Sequence, residues 1–273
     1  MGANEISHLL PPCIKIAKLA GDKILEYWGK SDLGIIQKSD KTPVTAADLA
    51  AHEILYESLY RLTPDLPILS EEGSIPNYSE RCRWNTYWIL DPLDGTRGFV
   101  RGSSEFTVNI ALIVKHKPML GIIYAPVTKI IYYATYQGGS FKQVSDNPPQ
   151  ILKLSLEKNP IWKIAVGQFH RVQKLENVIP KSWKYSWLRM NSSLKFGALA
   201  EGKAHIYIRF GPTCEWDIAA GQCILEEVGG LTVDLTGQPL KYNCKSSLLN
   251  PNFIALSNPA FISQWLEILT SKD

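Results

Sequence analysis

Apolar residues recur at helical spacing in two segments of the first quarter of the chain. The pattern over residues 5–29 predicts an amphipathic helix. A second helix is predicted from about Thr45 to Leu62. Thr45 suits the N-cap, Asp48 falls in the first turn, and Pro64 follows the end.

Shorter apolar runs with turn residues between them predict a series of strands. "PILSEEG" and "TYWILD" are typical of short buried strands, and each ends in carboxylates. "FTVNIALIVKHKPMLGIIYAP" predicts two strands joined at residues 116–118, and "KIIYYATYQGGSFK" predicts another pair turning at residues 138–139.

The pattern changes after the polar, proline-containing segment "SDNPPQ", which we interpret as a boundary between two parts. Residues 1–148 are predicted to form an α+β half, and residues 149–273 an α/β half in which strands and helices alternate. The predicted elements of the second half are strand "KIAVG", a helix near 171–179, strand "WLRM", helix "SLKFGALAEG", strand "HIYIRF" and helix "DIAAGQCILEEVGG".

Composition narrows the class of protein. The chain has 273 residues, 45% of them hydrophobic, and a net charge of +3, without the dense basic run expected of a protein that binds a nucleic acid polymer. Its five cysteines form no CxxC pair, which favours free thiols in a reducing compartment. No apolar segment is long enough for a transmembrane helix, so we expect a cytoplasmic protein.

Paired carboxylates follow the predicted buried strand in "WILDPLDGTR". Pro92 favours an abrupt exit of the chain, which leaves the Leu93 carbonyl free to face the same point as Asp91 and Asp94. Oxygen ligands at a sharp turn suit Mg²⁺. The N–H groups that follow, beginning at Gly95, are suited to an anion. An ordinary surface turn rich in Asp, Pro and Gly remains an alternative for this motif taken alone.

Three further acidic sites have both an ordinary and a functional interpretation. The pair Glu71 and Glu72 could be solvated, Asp48 could complement a helix dipole, and Asp217 could cap a helix. These residues fall, however, where strands or loops end and helices begin. Carboxylates at such junctions can converge at the carboxyl edge of a sheet.

Three motifs together resemble a known family. "LSEEG", "DPLDGTRGF" and "WDIAAG" occur in the order and approximate spacing of the lithium-sensitive, magnesium-dependent phosphatases of the inositol monophosphatase superfamily. The resemblance covers nearly the whole chain. Segments such as "KTPVTAADLAAHEIL" and "SSLKFGALAEGKAHIYIRFGPT" are most similar to the bacterial 3′(2′),5′-bisphosphate nucleotidases of that superfamily. The resemblance implies a layered αβαβα sandwich of the inositol monophosphatase and fructose-1,6-bisphosphatase type, with the metal site between the two halves.

The resemblance also implies the metal ligands. Glu71, Asp91 and the Leu93 carbonyl would hold one Mg²⁺, and Asp91, Asp94 and Asp217 a second; occupancy by a third ion stays open. Two ions roughly 3.5–4 Å apart can stabilise the attacking and leaving oxygens of an in-line displacement.

A water-activating pair is implied as well. Thr96 would orient the attacking water, and Asp48 would accept a hydrogen bond from Thr96. Together with Glu71, which acts through the first metal, they form the predicted catalytic set. Glu72 is not placed among the ligands.

Substrate selectivity is expected to depend on the second half. In "NSSLKF", Ser192, Ser193 and Lys195 suit an anion through hydroxyls, amides and point charge, and the resemblance assigns this segment to the phosphate that is not cleaved. Arg209 resembles an arginine that contacts base or phosphate, and His170 resembles a contact to adenine. The remaining predicted substrate contacts are Gly95, Thr96 and Asp217.

The resemblance therefore implies Mg²⁺-dependent hydrolysis of adenosine 3′,5′-bisphosphate to AMP and phosphate, with 3′-phosphoadenylyl sulfate as a second substrate, in sulfur assimilation. Two alternatives stay open: an inositol or sugar monophosphatase with the same metal core, and a non-catalytic nucleotide-binding regulatory module. The sequence leaves open whether the protein is a monomer or a homodimer, how strongly lithium inhibits it, and whether it associates peripherally with the inner membrane.

Overall fold

The computed structural model describes residues 1–30, 32–37, 43–154, 161–168 and 172–270. Within these ranges the helices are α1 (Ala3–Leu25), α2 (Ala46–Leu62), α3 (Tyr78–Arg81), α4 (Thr96–Val100), α5 (Gln173–Val178), α6 (Leu194–Ala200), α7 (Glu215–Glu227) and α8 (Ile262–Thr270). The strands are β1 (Ile36–Gln37), β2 (Pro43–Val44), β3 (Ile68–Ser70), β4 (Thr86–Asp94), β5 (Thr107–Val114), β6 (Lys117–Ala125), β7 (Ile130–Thr135), β8 (Gly139–Val144), β9 (Gln150–Ile151), β10 (Trp162–Val166), β11 (Tyr185–Arg189), β12 (Ile206–Arg209), β13 (Leu231–Asp234) and β14 (Phe253–Leu256).

Two sheets form the frame of the molecule. The larger has seven strands in the order β3-β4-β5-β6-β7-β8-β9; β3 runs parallel to β4, and the other neighbours are antiparallel. The smaller has five strands in the order β11-β10-β12-β14-β13, with β10 parallel to both β11 and β12. Strands β1 and β2 form a separate antiparallel pair.

Alternate residues of the large sheet face two different cores, because successive side chains of a strand point to opposite faces. Trp88 and Leu90 of β4 pack with α1 and α2 on the outer face, whereas Tyr87 and Ile89 pack with α6 and α7 on the inner face. Burial on both faces explains why these strands are almost continuously apolar in the sequence.

The small sheet is covered in the same way. Ala165 and Tyr207 face α6 and α7, and Ile164 and Ile206 face α5 and α8. From one side to the other, the layers are helices, seven-stranded sheet, helices, five-stranded sheet and helices. The predicted αβαβα sandwich is therefore confirmed.

The structure also corrects details of the predicted elements. The first helix ends at Leu25 rather than near residue 29, and a turn follows it. Strands β13 and β14 and helix α8 lie beyond the last element predicted from the alternation. The division after residue 148 stays a prediction; β9 still belongs to the large sheet, and the small sheet begins at Trp162. No helix among the described residues is long and apolar enough to cross a membrane.

The middle helical layer lies very close to the large sheet. A Cβ added at Gly121 in β6 would lie 2.4 Å from the backbone oxygen of Ala220 in α7 and 2.9 Å from Cys223 Cβ. Only glycine permits this approach. The position of α7, and with it the position of Asp217 at its start, depends on that packing.

We predict that Gly121→Ala destabilises the protein by about 1–3 kcal/mol, because the added methyl group must displace the backbone of α7. Chemical denaturation measures the change in the free energy of unfolding. Gly2→Ala is the matched control, since among the described residues its Cβ would meet only Glu5 Oε2, at 3.9 Å. Equal stability of Gly121→Ala and the wild-type protein would contradict this account of the packing.

Candidate active site

Strand ends and helix starts converge at one place between the two sheets. Strands β3 and β4 are parallel, with Ser70 opposite Leu90, and Glu71 N–H donates to Leu90 O at 3.2 Å. Glu71 and Asp91 therefore leave adjacent strands at the same edge.

A bulge in β4 shapes the second half of the motif. Asp91 pairs with Asn109 of β5 and Asp94 pairs with Thr107, so β4 contains one residue more than its partner over this interval. The next residue, Gly95, has a φ of 99°, which favours glycine, and it is the N-cap of α4. The bulge and this turn place Asp91, Asp94 and Thr96 around one site.

Three of the predicted metal ligands form a compact group of acids. One carboxylate oxygen from each of Glu71, Asp91 and Asp217 lies within 4.8 Å of the others. The Asp91 side chain is buried, and its Oδ1 accepts a hydrogen bond from Leu93 N–H at 3.1 Å. Desolvation raises the pKa of Asp91 well above its ordinary value, and the negative charges of Glu71, Asp94 and Asp217 raise it further.

Asp94 lies beside this group and joins it to the second half of the chain. Its Oδ2 accepts hydrogen bonds from Ser193 N–H at 2.5 Å and from Asn109 Nδ2 at 3.5 Å. Desolvation raises the pKa of Asp94, although the charge of Lys195 acts in the opposite direction.

Asp48 caps a helix and also contacts the proposed water-activating residue. It is the third residue of α2, and its Oδ2 accepts hydrogen bonds from Thr45 N–H at 2.7 Å and Thr45 Oγ1 at 2.6 Å, which forms a capping box. Its Oδ1 lies 3.1 Å from Thr96 Oγ1, which is also 3.0 Å from the Leu93 carbonyl oxygen. Desolvation raises the pKa of Asp48.

Asp217 likewise caps a helix, α7, and also belongs to the acidic group. Its Oδ2 accepts a hydrogen bond from Cys214 N–H at 2.9 Å, so Asp217 also forms a capping box. The other carboxylate oxygen is available to a cation. Desolvation raises the pKa of Asp217 well above its ordinary value, and Asp94 and Glu71 raise it further.

The donor set fits a divalent metal ion. Every predicted ligand offers oxygen, and hard cations such as Mg²⁺ prefer oxygen. Buried carboxylates that repel one another stay ionised together only if positive charge compensates them. Desolvation is the largest cause of the raised pKa values of Asp91, Asp94 and Asp217, and a bound cation would favour their charged forms. The acidic group can therefore hold a metal.

A cavity of about 330 Å³ opens beside the acids. Five of the predicted substrate contacts line it: Gly95, Ser192, Lys195, Arg209 and Asp217. His170 lies outside the described residues. Thr96 is not part of the lining and sits instead at the acidic group, against Asp48.

Two cations face this cavity from the second half of the chain. Lys195 is 7% exposed, and burial lowers its pKa to about 8, although the nearby Asp94 carboxylate opposes that effect. Its Nζ donates to the Ser192 carbonyl. Arg209 is held by its own loop, because its Nε donates to Thr213 Oγ1 at 2.6 Å and its Nη2 donates to Pro212 O at 2.9 Å.

Sequence reasoning missed other residues of the cavity, among them Arg97 and Asn191, whereas the predicted Ser193 also lines it. Arg97 directly follows the Gly95-Thr96 pair, so its place in the "DGTRG" motif was an available signal. Asn191 precedes Ser192 in the segment already identified. No local pattern distinguishes Asn191, because its role depends on contacts to the first half.

A buried polar network fixes the start of α7. Arg81 of α3 is 1% exposed and donates to Asn243 Oδ1 and to two backbone carbonyls of the loop that follows Asn243. Asn243 N–H in turn donates to Glu215 Oε2 at 2.7 Å. Because Glu215 is the first residue of α7, this network ties the first half of the chain to the turn that carries Asp217.

Known proteins resemble this chain over nearly its whole length. The model of the inositol monophosphatase family matches residues 5–265. The 3′(2′),5′-bisphosphate nucleotidase CysQ of Salmonella typhimurium is 41% identical over 246 residues, which are 90% of this chain and 98% of that protein. The nucleotidase CysQ of Haemophilus influenzae is 36% identical over 255 residues, 93% of this chain and 94% of its own.

Solved structures agree with the architecture. The crystal structure of CysQ from Bacteroides thetaiotaomicron, a bacterial member of the inositol monophosphatase family, has a TM-score of 0.78 and 35% identity, and the match covers 90% of this chain and 95% of that one. The structure of the inositol monophosphatase of Thermotoga maritima has a TM-score of 0.80 at 23% identity, with 97% of both chains covered. At that identity the second likeness concerns the fold alone.

We predict that Mg²⁺ raises the melting temperature of the wild-type protein, because the cation relieves the repulsion among the acids. At a Mg²⁺ concentration of 100 times Kd, the free energy of unfolding should rise by about 2.7 kcal/mol. Asp91→Asn should raise the stability of the metal-free protein and abolish the gain with Mg²⁺. Differential scanning calorimetry with EDTA or Mg²⁺ measures both effects.

Asp146→Asn is the control for that experiment, because the Asp146 side chain is fully exposed and distant in sequence from the acids. It should keep the wild-type response to Mg²⁺. A full Mg²⁺ response in Asp91→Asn would show that the acidic group is not the metal site.

Proposed function

The chain belongs to the inositol monophosphatase family, and on that basis we propose that it is a Mg²⁺-dependent 3′(2′),5′-bisphosphate nucleotidase. It hydrolyses adenosine 3′,5′-bisphosphate to AMP and phosphate. The relatives named 3′(2′),5′-bisphosphate nucleotidase match almost end to end, which supports this activity over others of the family.

One structural observation carries the choice of substrate. The cavity is lined by two carboxylates, Asp94 and Asp217, and by two cations, Lys195 and Arg209. A substrate with two phosphates matches this lining: one phosphate lies at the metal site, and the second meets the two cations. A monophosphate ester would leave Lys195, which is 7% exposed, without an anionic partner other than protein carboxylates.

In the proposed site, Glu71, Asp91 and the Leu93 carbonyl would hold one Mg²⁺, and Asp91, Asp94 and Asp217 would hold a second. When bound, these ions supply positive charge to the phosphoryl oxygens and favour ionisation of the attacking water. The protein is proposed to act as a monomer or homodimer in the cytoplasm.

The residues of the chain have separate tasks in this mechanism. The Thr96 hydroxyl, 3.1 Å from Asp48 Oδ1, donates to that carboxylate and so presents an oxygen lone pair to the water. The water is thereby oriented for attack on phosphorus, opposite the ester oxygen that leaves. Gly95 contributes backbone at the scissile phosphate, and Ser192, Lys195, Arg209 and His170 hold the rest of the nucleotide.

The test of this function is phosphate release from a substrate panel in Mg²⁺, with and without lithium. We expect kcat/KM for adenosine 3′,5′-bisphosphate to exceed that for inositol 1-phosphate by at least about tenfold, because the smaller ester offers no second phosphate to Lys195 and Arg209. A preference for inositol 1-phosphate would support an inositol monophosphatase instead. Tight nucleotide binding without phosphate release would indicate a regulatory module.

Two substitutions should affect different kinetic constants. Lys195→Ala removes a buried cation and should raise KM for adenosine 3′,5′-bisphosphate by about 10- to 100-fold. Thr96→Ala removes the water-orienting hydroxyl and should lower kcat by about 10²- to 10⁴-fold. Steady-state kinetics separates the two effects, and Thr96→Ser should restore most of kcat. The reverse assignment of KM and kcat effects would contradict the proposed roles.

A further inference from the structure

The segment Asn191–Ser193 forms one wall of the cavity and has an unfavourable backbone conformation. Ser192 has a φ of 55°, in the left-handed region that non-glycine residues rarely adopt. Such a conformation is energetically unfavourable and persists only where the surroundings impose it.

Carboxylates from the first half hold the peptide groups on both sides of Ser192. Asn191 N–H donates to Glu105 Oε2 at 3.0 Å, and Ser193 N–H donates to Asp94 Oδ2 at 2.5 Å. No acceptor for Ser192 N–H is found within the part of the chain that the structure describes. The two acids thus fix a short turn whose central N–H is left for an anion.

Glu105 is supported in this position by its own loop. Ser103 Oγ accepts a hydrogen bond from Glu105 N–H at 3.1 Å and another from Asn191 Nδ2 at 3.3 Å. Asn191 is therefore held by both its backbone and its side chain. Asp94 is also a proposed metal ligand, so its presence has an explanation besides the contact to Ser193. Glu105 belongs neither to the acidic group nor to the lining of the cavity.

The fixed turn also controls the position of the Lys195 ammonium group. Lys195 Nζ donates to the carbonyl of Ser192, so the orientation of that peptide decides where the ammonium group lies. The Glu105 carboxylate is close enough to favour the charged form of Lys195. If Asn191 were released, Ser192 could return to a negative φ, and its carbonyl would no longer face Lys195.

We propose that Glu105 is a positioning residue that sets the selectivity for substrates with a second phosphate. It does so by holding Ser192 in the left-handed conformation, which aims the Ser192 N–H and the Lys195 ammonium group at that phosphate. This inference rests on the proposed nucleotidase function and adds to it the residue that arranges the second anion site.

The test compares kcat/KM for adenosine 3′,5′-bisphosphate with kcat/KM for adenosine 3′-monophosphate, which has the same scissile ester and no second phosphate. Glu105→Ala should lower the ratio of the two by about tenfold or more, the equivalent of about 1.4 kcal/mol. The loss should fall on KM for the bisphosphate, with the monophosphate nearly unaffected. Glu105→Gln keeps an acceptor oxygen and should retain most of the wild-type ratio.

Glu57→Ala is the matched control, because Glu57 is exposed and pairs with Arg61 on the surface of α2. It should leave the ratio unchanged. Ser103→Ala, which removes the acceptor of the Asn191 side chain, should lower the ratio in the same direction and provides the test if Glu105→Ala does not fold.

The possible results separate this inference from the function on which it rests. A wild-type protein without preference for the bisphosphate overturns both. A wild-type preference that survives in Glu105→Ala and Ser103→Ala overturns the inference alone. If Glu105→Ala lowered kcat/KM equally for both substrates, Glu105 would be merely structural. If Glu105→Gln and Glu105→Ala lost the ratio equally, the effect would belong to the charge of Glu105. Both results contradict the proposal.

Discussion

Desolvation of neighbouring carboxylates is the constraint on which this structure depends. Asp48, Asp91, Asp94 and Asp217 each have a raised pKa, and desolvation is the largest cause in every case. Such groups stay ionised together only if positive charge or hydrogen bonds compensate them. The fold supplies part of the compensation through hydrogen bonds, as from Ser193 N–H to Asp94, and the proposed metal ions would supply the rest. The layered architecture brings the strand ends and helix starts to this one place.

Helix capping and the proposed site roles fall on the same side chains here. Asp48 and Asp217 both occupy the third position of a helix, and each uses Oδ2 to accept a hydrogen bond from the backbone N–H of the capping residue. A carboxylate has two oxygens, so the other one can face Thr96 in the first case and the acidic group in the second. The ordinary interpretation of these residues as helix-start acids and the functional one are therefore compatible.

The substrate cavity is a property of the contact between the two halves. Asp94 and Glu105 of the first half hold the backbone on either side of Ser192, and Arg81 reaches the loop near the start of α7. Glycine at position 121 lets α7, which begins beside Asp217, approach the large sheet closely. Selectivity and metal binding are thus coupled to the packing of the middle helical layer.

The amino-acid sequence determined the chemistry of this protein. The predicted helix at Thr45–Leu62 and the strands that end in Glu71 and Asp91 depend on signals within a few residues, such as capping, periodicity and proline. The motif resemblance added the layered fold and the roles of the acids. The tertiary structure decided how these groups are held. Glu105 is hydrogen-bonded to Asn191, 86 residues away in the sequence, and Arg81 to Asn243, 162 residues away. Such pairs leave no local pattern in the sequence, because the hydrogen bonds that join them exist only after the two sheets have packed around α6 and α7.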